Sequence, residues 1–294
     1  MRTLLVLLAL ATPALAQPKK ITVAIYAPSV EFGASTARVA YVQSLAKAIE
    51  QNTGLRVDAQ SYANLAAMKK DNVDFAIVDG PCYATNLGWK LLATAQIGGG
   101  STRPYALFAS GASNVQALKG KKLAFIAAGC NDAGFVDNAM LESEVDPGFF
   151  TRVGKPDLTA AIAEVAQTKT AQAVFAPIAS AKGLTKLFDT GVVPNPAFVD
   201  VGSKLPRSTV DKIAAAVIGF GGGGAIAGWS RPSRDIYTSF AGRLGRAAKT
   251  PIFANPEPVR IDAKDVLIEP PTIKDYALVG VRHHFVRAPG ERME

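Results

Sequence analysis

Residues 73–83 read VDFAIVDGPCY and carry the pattern that decides the fold. The run at 73–78 is apolar and rich in β-branched residues, which predicts a short buried strand. The Asp-Gly-Pro sequence at 79–81 follows at once and predicts a turn at the end of that strand. Short buried strands of this kind are typical of parallel sheets that are covered on both faces.

The residues upstream predict two further strands, each followed by a helix. An apolar run at 21–27 precedes a helix at 35–53, whose apolar residues recur at helical spacing. Gly54 stands just past the end of this helix, where a glycine cap is common. A strand at 55–59 and a short helix at 64–72 complete the series. Strands that alternate with helices predict parallel βαβ units.

The strand–helix pattern then begins again, which predicts a second α/β lobe. A strand at 104–110 serves as a connector, and a strand at 123–127 opens the new set. We expect the later elements to be a helix at 131–145, a helix capped by Asp157, strands at 173–176 and 197–201, and helices capped by Ser208 and Ser233. The predicted domains are lobe 1 at 17–111 and 191–250, lobe 2 at 112–190 and a C-terminal extension at 251–294, with crossings near 104–112 and 190–200.

The N-terminal residues have the layout of a secretory signal peptide. Met1-Arg2 is basic, residues 4–10 are apolar without interruption, and residues 14–16 form an A-x-A cleavage sequence. The apolar run is too short to span a membrane as a helix. This pattern predicts a signal peptide at 1–16 and a protein that is exported to the periplasm.

Composition and charge narrow the partners. The 294 residues carry a net charge of +8, from 32 Lys and Arg against 24 Asp and Glu, and no run of five like charges occurs. A nucleic-acid groove needs clustered basic residues, so we expect no nucleic-acid partner. We expect a monomer that binds a small-molecule ligand. Adjacent His283 and His284 would face opposite sides of a strand and suit a metal poorly. We expect no cofactor and no metal.

Four stretches, taken in their order and spacing, resemble a known family. They are ITVAIYAPS at 21–29, LAKAIEQNTGLRVDAQSYANL at 45–65, NVDFAIVDGPCYA at 72–84 and YALFASGASNVQALKGKKLAFIAAGCNDAG at 105–134. The chain resembles the periplasmic solute-binding proteins of ABC transporters, in particular the phosphate/phosphite/phosphonate-binding branch. This resemblance implies a two-lobed type II periplasmic binding protein fold, a ligand cleft between the lobes and an inner-membrane transporter as partner.

The candidate ligand contacts lie in three turns that follow predicted parallel strands, since ligands of open α/β sheets sit outside the carboxyl ends of the strands. These turns are 26–29, 79–83 and 129–132. Family position adds Arg103 as the nearest base for an anion. No catalytic residue is expected, and the candidate ligand-binding residues are Tyr26, Pro28, Ser29, Asp79, Gly80, Cys82, Tyr83, Arg103, Tyr105, Cys130, Asn131 and Asp132.

The resemblance to the phosphonate branch implies that the second-lobe loop carries hydroxyl groups, which bind the anion together with helix N-terminal amides. In this sequence the loop departs from that pattern. Residues 127–134 read AAGCNDAG and lack hydroxyls, and Asp79 and Asp132 add negative charge. A dianion beside these carboxylates would be costly to bury. We therefore expect a neutral, zwitterionic or largely apolar ligand. A periplasmic carrier of a lipid-like ligand on the same fold is the alternative function.

The two cysteines and a glycine-rich stretch leave alternatives open. Export favours oxidised cysteines, and a bridge between Cys82 and Cys130 would tie the lobes together, but we rank two unpaired, buried or cleft-lining thiols ahead of it. An enzyme that uses Cys130 as an activated thiolate ranks last, because no histidine is near it in sequence. The stretch at 219–228 predicts a loop next to the cleft, with Phe220 and Trp229 as an apolar wall.

Overall fold

The computed structural model describes residues 20–142, 145–146 and 148–245. The predicted signal peptide, the C-terminal extension and His283 and His284 lie outside the described residues. The strands are β1 Lys20–Tyr26, β2 Arg56–Ser61, β3 Phe75–Val78, β4 Lys90–Gln96, β5 Thr102–Ala109, β6 Lys122–Ile126, β7 Thr151–Lys155, β8 Ala173–Pro177, β9 Thr185–Pro194, β10 Ala197–Asp200 and β11 Gly228–Ser230. The helices are α1 Ser35–Thr53, α2 Leu65–Lys70, α3 Gly80–Ala84, α4 Asp132–Gly134, α5 Leu158–Ala166, α6 Arg207–Ile218 and α7 Arg234–Leu244, with a 3₁₀ turn at Gln116–Leu118 and a π-helical segment at Phe135–Met140.

The first sheet has six strands in the order β11-β4-β10-β3-β1-β2 and defines lobe 1. Strand β1 is parallel to both β2 and β3, whereas β10 and β11 run antiparallel to their neighbours. Val23 and Ile25 pack with α1 and α6 on one face. Ala24 and Tyr26 pack with α2 and α3 on the other. Because successive side chains of a strand alternate between faces, a sheet covered on both sides needs this continuous apolar run.

The second sheet has five strands in the order β7-β6-β8-β5-β9 and defines lobe 2. Strand β6 is parallel to β7 and β8, and β5 is antiparallel to β8 and β9. Leu107 lies in a cluster with the π-helical segment and the end of α7. Ala106 and Phe108 pack with α5 on the opposite face. Two separate α/β lobes are therefore present, as the repeated strand–helix pattern predicts.

The boundary between the lobes differs from the predicted one. The strand predicted at 104–110 as a connector is β5, which pairs with β8 and β9 and so belongs to lobe 2. The chain crosses at 97–101 and again at 195–196, so the first crossing precedes the predicted 104–112. An apolar run identifies a strand but not the sheet that it joins. Helix α7, assigned to lobe 1, buries Phe240 and Leu244 in the lobe 2 cluster.

Some elements also differ from the sequence-based expectation. The helix predicted at 131–145 is one turn of α4 that continues as the π-helical segment to Met140. Helix α6 begins after Pro206 rather than being capped by Ser208. Strands β4, β7, β9 and β11 were not predicted, because their lysines, threonines and glycines obscure the alternation of apolar residues. Within the described ranges, no helix combines the length and apolarity needed to cross a bilayer.

Gly80 is the point of closest approach between the start of α3 and the second crossing. A Cβ atom built there would lie 2.0 Å from the carbonyl oxygen of Pro194 and 2.9 Å from that of Asn195. Both obstacles are backbone atoms, so the crossing itself would have to move.

We expect Gly80→Ala to lower the free energy of unfolding by about 1–3 kcal/mol, the usual cost of overpacking. Gly88→Ala is the matched control, because a Cβ there meets nothing within 4 Å. The two variants share the same change in unfolded-chain entropy. Urea denaturation of both measures the difference, and equal midpoints would contradict the clash.

Candidate ligand-binding cleft

The candidate site lies where the two lobes face each other, at the carboxyl ends of β1 and β3. Because these strands are parallel neighbours, the turns that follow them bring Ser29 and Asp79 together. The Asp79 carboxylate accepts hydrogen bonds from the Ser29 amide (3.0 Å), the Ser29 hydroxyl and the Gly80 amide (3.1 Å). Both Ser29 and Asp79 are buried. Asp79 also caps helix α3. The hydrogen bonds that its carboxylate accepts from Ser29 and Gly80 therefore come from residues of lobe 1.

Lobe 2 places Arg103, from β5, against this carboxylate. Its Nε donates to Asn195 Oδ1 (2.8 Å), its Nη1 to the Ser29 carbonyl (2.9 Å) and its Nη2 to the Ser29 hydroxyl (2.8 Å). The hydroxyl therefore lies between the guanidinium and the Asp79 carboxylate. Asn195 also donates to the Gly100 carbonyl (2.7 Å) in the other crossing. One buried polar cluster thus joins both lobes and both crossings.

The cavity enclosed beside this polar cluster is small. A cavity of about 20 Å³ is lined by residues of both lobes, among them Ser29, Asp79, Tyr105, Cys130 and Asp132. Tyr105 is buried, and the Arg103 guanidinium carbon lies 5.8 Å from its ring centroid. A cavity of this size holds about one water molecule. A larger ligand can enter this cavity only when the lobes separate.

Direct hydrogen bonds close the lobes around this cavity. The Tyr26 hydroxyl of lobe 1 donates to the Ala128 carbonyl of lobe 2 (2.8 Å). The Leu158 amide, at the start of α5, donates to the Pro28 carbonyl (3.0 Å). The carbonyl oxygens of Ala128 and Pro28 therefore accept hydrogen bonds that a bound ligand could accept instead.

Asp132 is the second carboxylate expected to face the ligand. It lines the cavity, but its oxygens accept hydrogen bonds from the amides of Gly129 (3.1 Å) and Cys130 (3.3 Å). Asp79 and Asp132 therefore each take up amide donors that an anionic ligand would otherwise use.

Cys82 and Cys130 form a disulfide across the cleft, with their Cα atoms 4.9 Å apart. The ranking of two unpaired thiols ahead of a bridge is therefore wrong. The turns after β3 and β6 are 48 residues apart in sequence, and the sequence contains no measure of their distance in space. The disulfide also leaves Cys130 without the free thiolate that a nucleophilic role requires.

Two predicted contacts lie away from the cavity. Tyr83 is fully buried, packs its ring against Tyr237 and donates its hydroxyl to the Trp89 carbonyl (3.3 Å). Asn131 accepts from the Gly134 amide (3.1 Å) and donates to the Leu244 carbonyl (3.4 Å). These contacts support the packing of α3 and α4, and ligand contact by either residue stays a prediction.

The aromatic wall expected beside the glycine-rich stretch is not found at the cleft. Trp229 donates to the Tyr41 hydroxyl (2.9 Å) and lies in the core of lobe 1. Phe220 packs edge-on against the same Tyr41 ring. Both side chains pack against Tyr41 of α1 in lobe 1. This tertiary packing is not visible in the local sequence.

Sequence reasoning missed three participants in the cleft, namely Ala128, Leu158 and Asn195. Ala128 and Leu158 contribute only backbone groups, so no side-chain pattern could identify them. Asn195 lies between Pro194 and Pro196, and this Pro-Asn-Pro sequence marks a crossing with few backbone donors of its own.

Burial raises the pKa of Asp79 above its usual range, although the bonds from Ser29 and the charge of Arg103 oppose the shift. A raised pKa in the folded state means that the folded protein binds a proton more readily than the unfolded chain. The stability contributed by this group is therefore full below the unfolded pKa and is lost as pH rises through the folded pKa.

We expect wild-type protein to gain stability relative to Asp79→Asn as the pH falls from about 7 toward about 4. Thermal denaturation of both proteins across this range measures the difference between their midpoints. A difference that stays constant, or that moves against the wild type on acidification, would contradict the shift. Asp211→Asn, at an exposed site on α6, is the matched control.

Comparison with solved structures shows several similar binding proteins. A binding component of an ABC phosphonate transporter from Pseudomonas aeruginosa has a TM-score of 0.59 at 15% identity, covering 77% of this chain and 88% of that chain. PhnD1 from Prochlorococcus marinus, solved with methylphosphonate, has a TM-score of 0.59 at 12% identity, covering 78% and 97%. A Xanthomonas citri protein solved with ATP has a TM-score of 0.55 at 10% identity, covering 77% and 97%. No family model and no curated protein matches the sequence.

These identities are too low to carry a ligand from one protein to another, but the backbone agreement covers nearly the whole of each solved chain. Among the described residues, no group of three or more His, Cys, Asp or Glu is placed to hold a metal ion. Together, the two sheets, the double crossing and the similar structures show that the chain has the two-lobed type II periplasmic binding protein fold.

Proposed function

We propose that the protein is a periplasmic solute-binding protein that captures a small ligand between its lobes and delivers it to an inner-membrane transporter. The observation that carries this proposal is the buried cluster of Ser29, Asp79, Arg103 and Asn195, which lies at strand ends where the lobes meet. Similar structures include binding components of transporters. A disulfide suits an oxidising compartment, which supports export by the predicted signal peptide.

The ligand we propose is neutral or zwitterionic. Asp79 and Asp132 already accept amide hydrogen bonds, and Arg103 already donates to Ser29 and Asn195. A dianion would therefore find few unpaired donors and a buried carboxylate beside it. Burying such charges without pairing costs several kcal/mol, on the order of the penalty for an isolated buried ion.

The lipid-carrier alternative gains no support from the cleft. Its lining includes Phe135 and Ile126, but the cavity of about 20 Å³ has no room in this structure for an acyl chain or for an amino acid, so its size favours neither function. Solute binding remains the function that we propose, with no enzymatic step, because the polar side chains of Ser29, Asp79 and Asp132 also line the cavity.

We expect phosphate, phosphite and methylphosphonate to bind weakly or not at all. Isothermal titration calorimetry on the mature protein, first stripped of any copurified ligand, measures this with the three anions and with neutral and zwitterionic amino acids as probes. Native mass spectrometry of protein from its own host identifies a retained ligand. Micromolar or tighter binding of methylphosphonate would show that the charge argument is wrong, and a protein that retains and binds no small molecule would contradict solute binding itself.

A further inference from the structure

The two sides of the closed cleft are held in different ways. On one side, which we term the latch side, the Cys82–Cys130 disulfide joins helix α3 in lobe 1 to the loop after β6 in lobe 2. On the other side, the mouth, the backbone bond between Leu158 and Pro28 bridges the lobes. The mouth opens into a groove of about 310 Å³, lined by the start of α1 and the start of α5.

Helix α7 reinforces the latch side. At its start, Arg234 donates to the Leu87 carbonyl of lobe 1 (2.7 Å). At its end, the Leu244 carbonyl accepts from Asn131 and Asn138 of lobe 2, at 3.4 Å and 2.9 Å. The helix therefore binds both lobes close to the disulfide, whereas at the mouth α5 reaches lobe 1 through the amide of its first residue.

We propose that the Cys82–Cys130 disulfide is a redox latch. The oxidised protein can open only at the mouth, whereas in the reduced protein α3 can also move away from the loop after β6, within the limit set by the second crossing, which lies against the start of α3. This inference rests on the proposed function, in which the cleft must open to admit a ligand. Disulfides hold Cα atoms within about 7 Å of each other, and here they are 4.9 Å apart. The lobes of the oxidised protein can therefore pivot about the latch but cannot part there.

The chemistry of release is thiol–disulfide exchange with a dithiol. One thiolate of the dithiol attacks a cysteine sulfur, the Cys82–Cys130 bond breaks, and a mixed disulfide forms. The second thiol of the dithiol then displaces the cysteine. Two electrons and two protons pass to Cys82 and Cys130, which become thiols, and the dithiol becomes a disulfide.

Burial makes this exchange depend on opening. Cys82 is fully buried and Cys130 is 4% exposed. A reductant can therefore reach the sulfur atoms only after the hydrogen bond between Tyr26 and the Ala128 carbonyl breaks and the loop moves away. Reduction of the folded protein is therefore slow, and the oxidised latch persists between rare openings.

Distances across the two sides test the latch directly. Spin labels carried on genetically encoded unnatural amino acids avoid added cysteines. One pair, at Thr85 and Ala133, lies three residues past each latch cysteine, and the other, at Ser35 and Thr159, faces across the mouth; all four residues are exposed. Pulsed electron resonance is recorded on oxidised protein, on protein fully reduced with dithiothreitol and on Cys82→Ala/Cys130→Ala, with circular dichroism as the check for folding.

We expect a single narrow latch-side distance in the oxidised protein and an added longer component after reduction and in the double variant. The mouth pair should show a broader distribution in the oxidised protein than the latch pair. A latch-side distance unchanged by reduction overturns the proposal, and so does a long latch-side component in the oxidised protein, which needs no variant to fold. No ligand is present, so this result is independent of the calorimetry that tests solute binding.

Discussion

Replacing Cys82 and Cys130 together with alanine is expected to lower the free energy of unfolding by about 4 kcal/mol. The disulfide closes a loop between residues 48 apart in sequence, and closing a loop of this length removes much of the conformational freedom of the unfolded chain. Alanine is chosen because both sites are buried in an apolar cluster, where a serine hydroxyl would lack a partner. Guanidinium denaturation of the variant and the oxidised wild type measures the change.

Reduced wild-type protein is the matched control for this prediction. It keeps both side chains in the cluster and loses only the covalent bond, so its loss of stability separates loop closure from the small cavities that alanine leaves. We expect most of the loss in the reduced protein as well. A loss below about 1 kcal/mol in both proteins would contradict the loop-closure estimate and would indicate that the reduced unfolded chain keeps residual structure.

The sequence predicts most elements of both lobes but leaves out two strands in each, β4 and β11 in lobe 1 and β7 and β9 in lobe 2. Helix α1 is found at Ser35–Thr53 as predicted, and Gly54 ends it with a positive φ of 71°. Its start, its spacing and its cap are all local features, which a single sequence records. Strands β4 and β9 are not predicted because polar residues interrupt their apolar alternation, and only their pairing with β10 and β5, far away in sequence, shows which sheet each joins. Local patterns therefore predict elements, whereas pairing decides the lobe to which each belongs.

The candidate site shows the same division. The sequence places Ser29 and Asp79 at the ends of predicted neighbouring strands, and the structure joins them by hydrogen bonds. Arg103 came from the resemblance alone, since nothing local points a strand-borne arginine at the opposite lobe. The sequence ranks two unpaired thiols ahead of the disulfide, because whether Cys82 and Cys130 pair depends on how closely the two lobes approach each other. The sequence thus predicts which polar residues lie at the ends of strands. The contacts that these residues make between the lobes are seen only in the structure.

Replacing Arg103 with methionine is expected to lower the free energy of unfolding by about 3–5 kcal/mol, the usual cost of removing one partner from a buried charged cluster. Arg103 is 7% exposed and donates to Ser29 and Asn195. Its loss would leave the Asn195 oxygen and the Ser29 carbonyl without these donors and the Asp79 carboxylate without its nearby positive charge. Arg207→Met is the matched control, since the Arg207 side chain is 90% exposed and its loss should cost under about 0.5 kcal/mol.

A second substitution distinguishes the lost charge from the lost packing. Asp79→Asn removes the buried carboxylate, so in the Arg103→Met background it should restore part of the lost stability, whereas the same substitution in the wild type leaves Arg103 without that opposing charge. Urea denaturation of the four proteins completes a double-mutant cycle. A coupling energy near zero would mean that Arg103 and Asp79 act independently, and Arg103 would then stabilise the closed cleft through its bonds to Ser29 and Asn195 alone. A coupling of 1 kcal/mol or more, on the order of that between contacting charged residues, would show that the two charges stabilise the closed cleft as one unit.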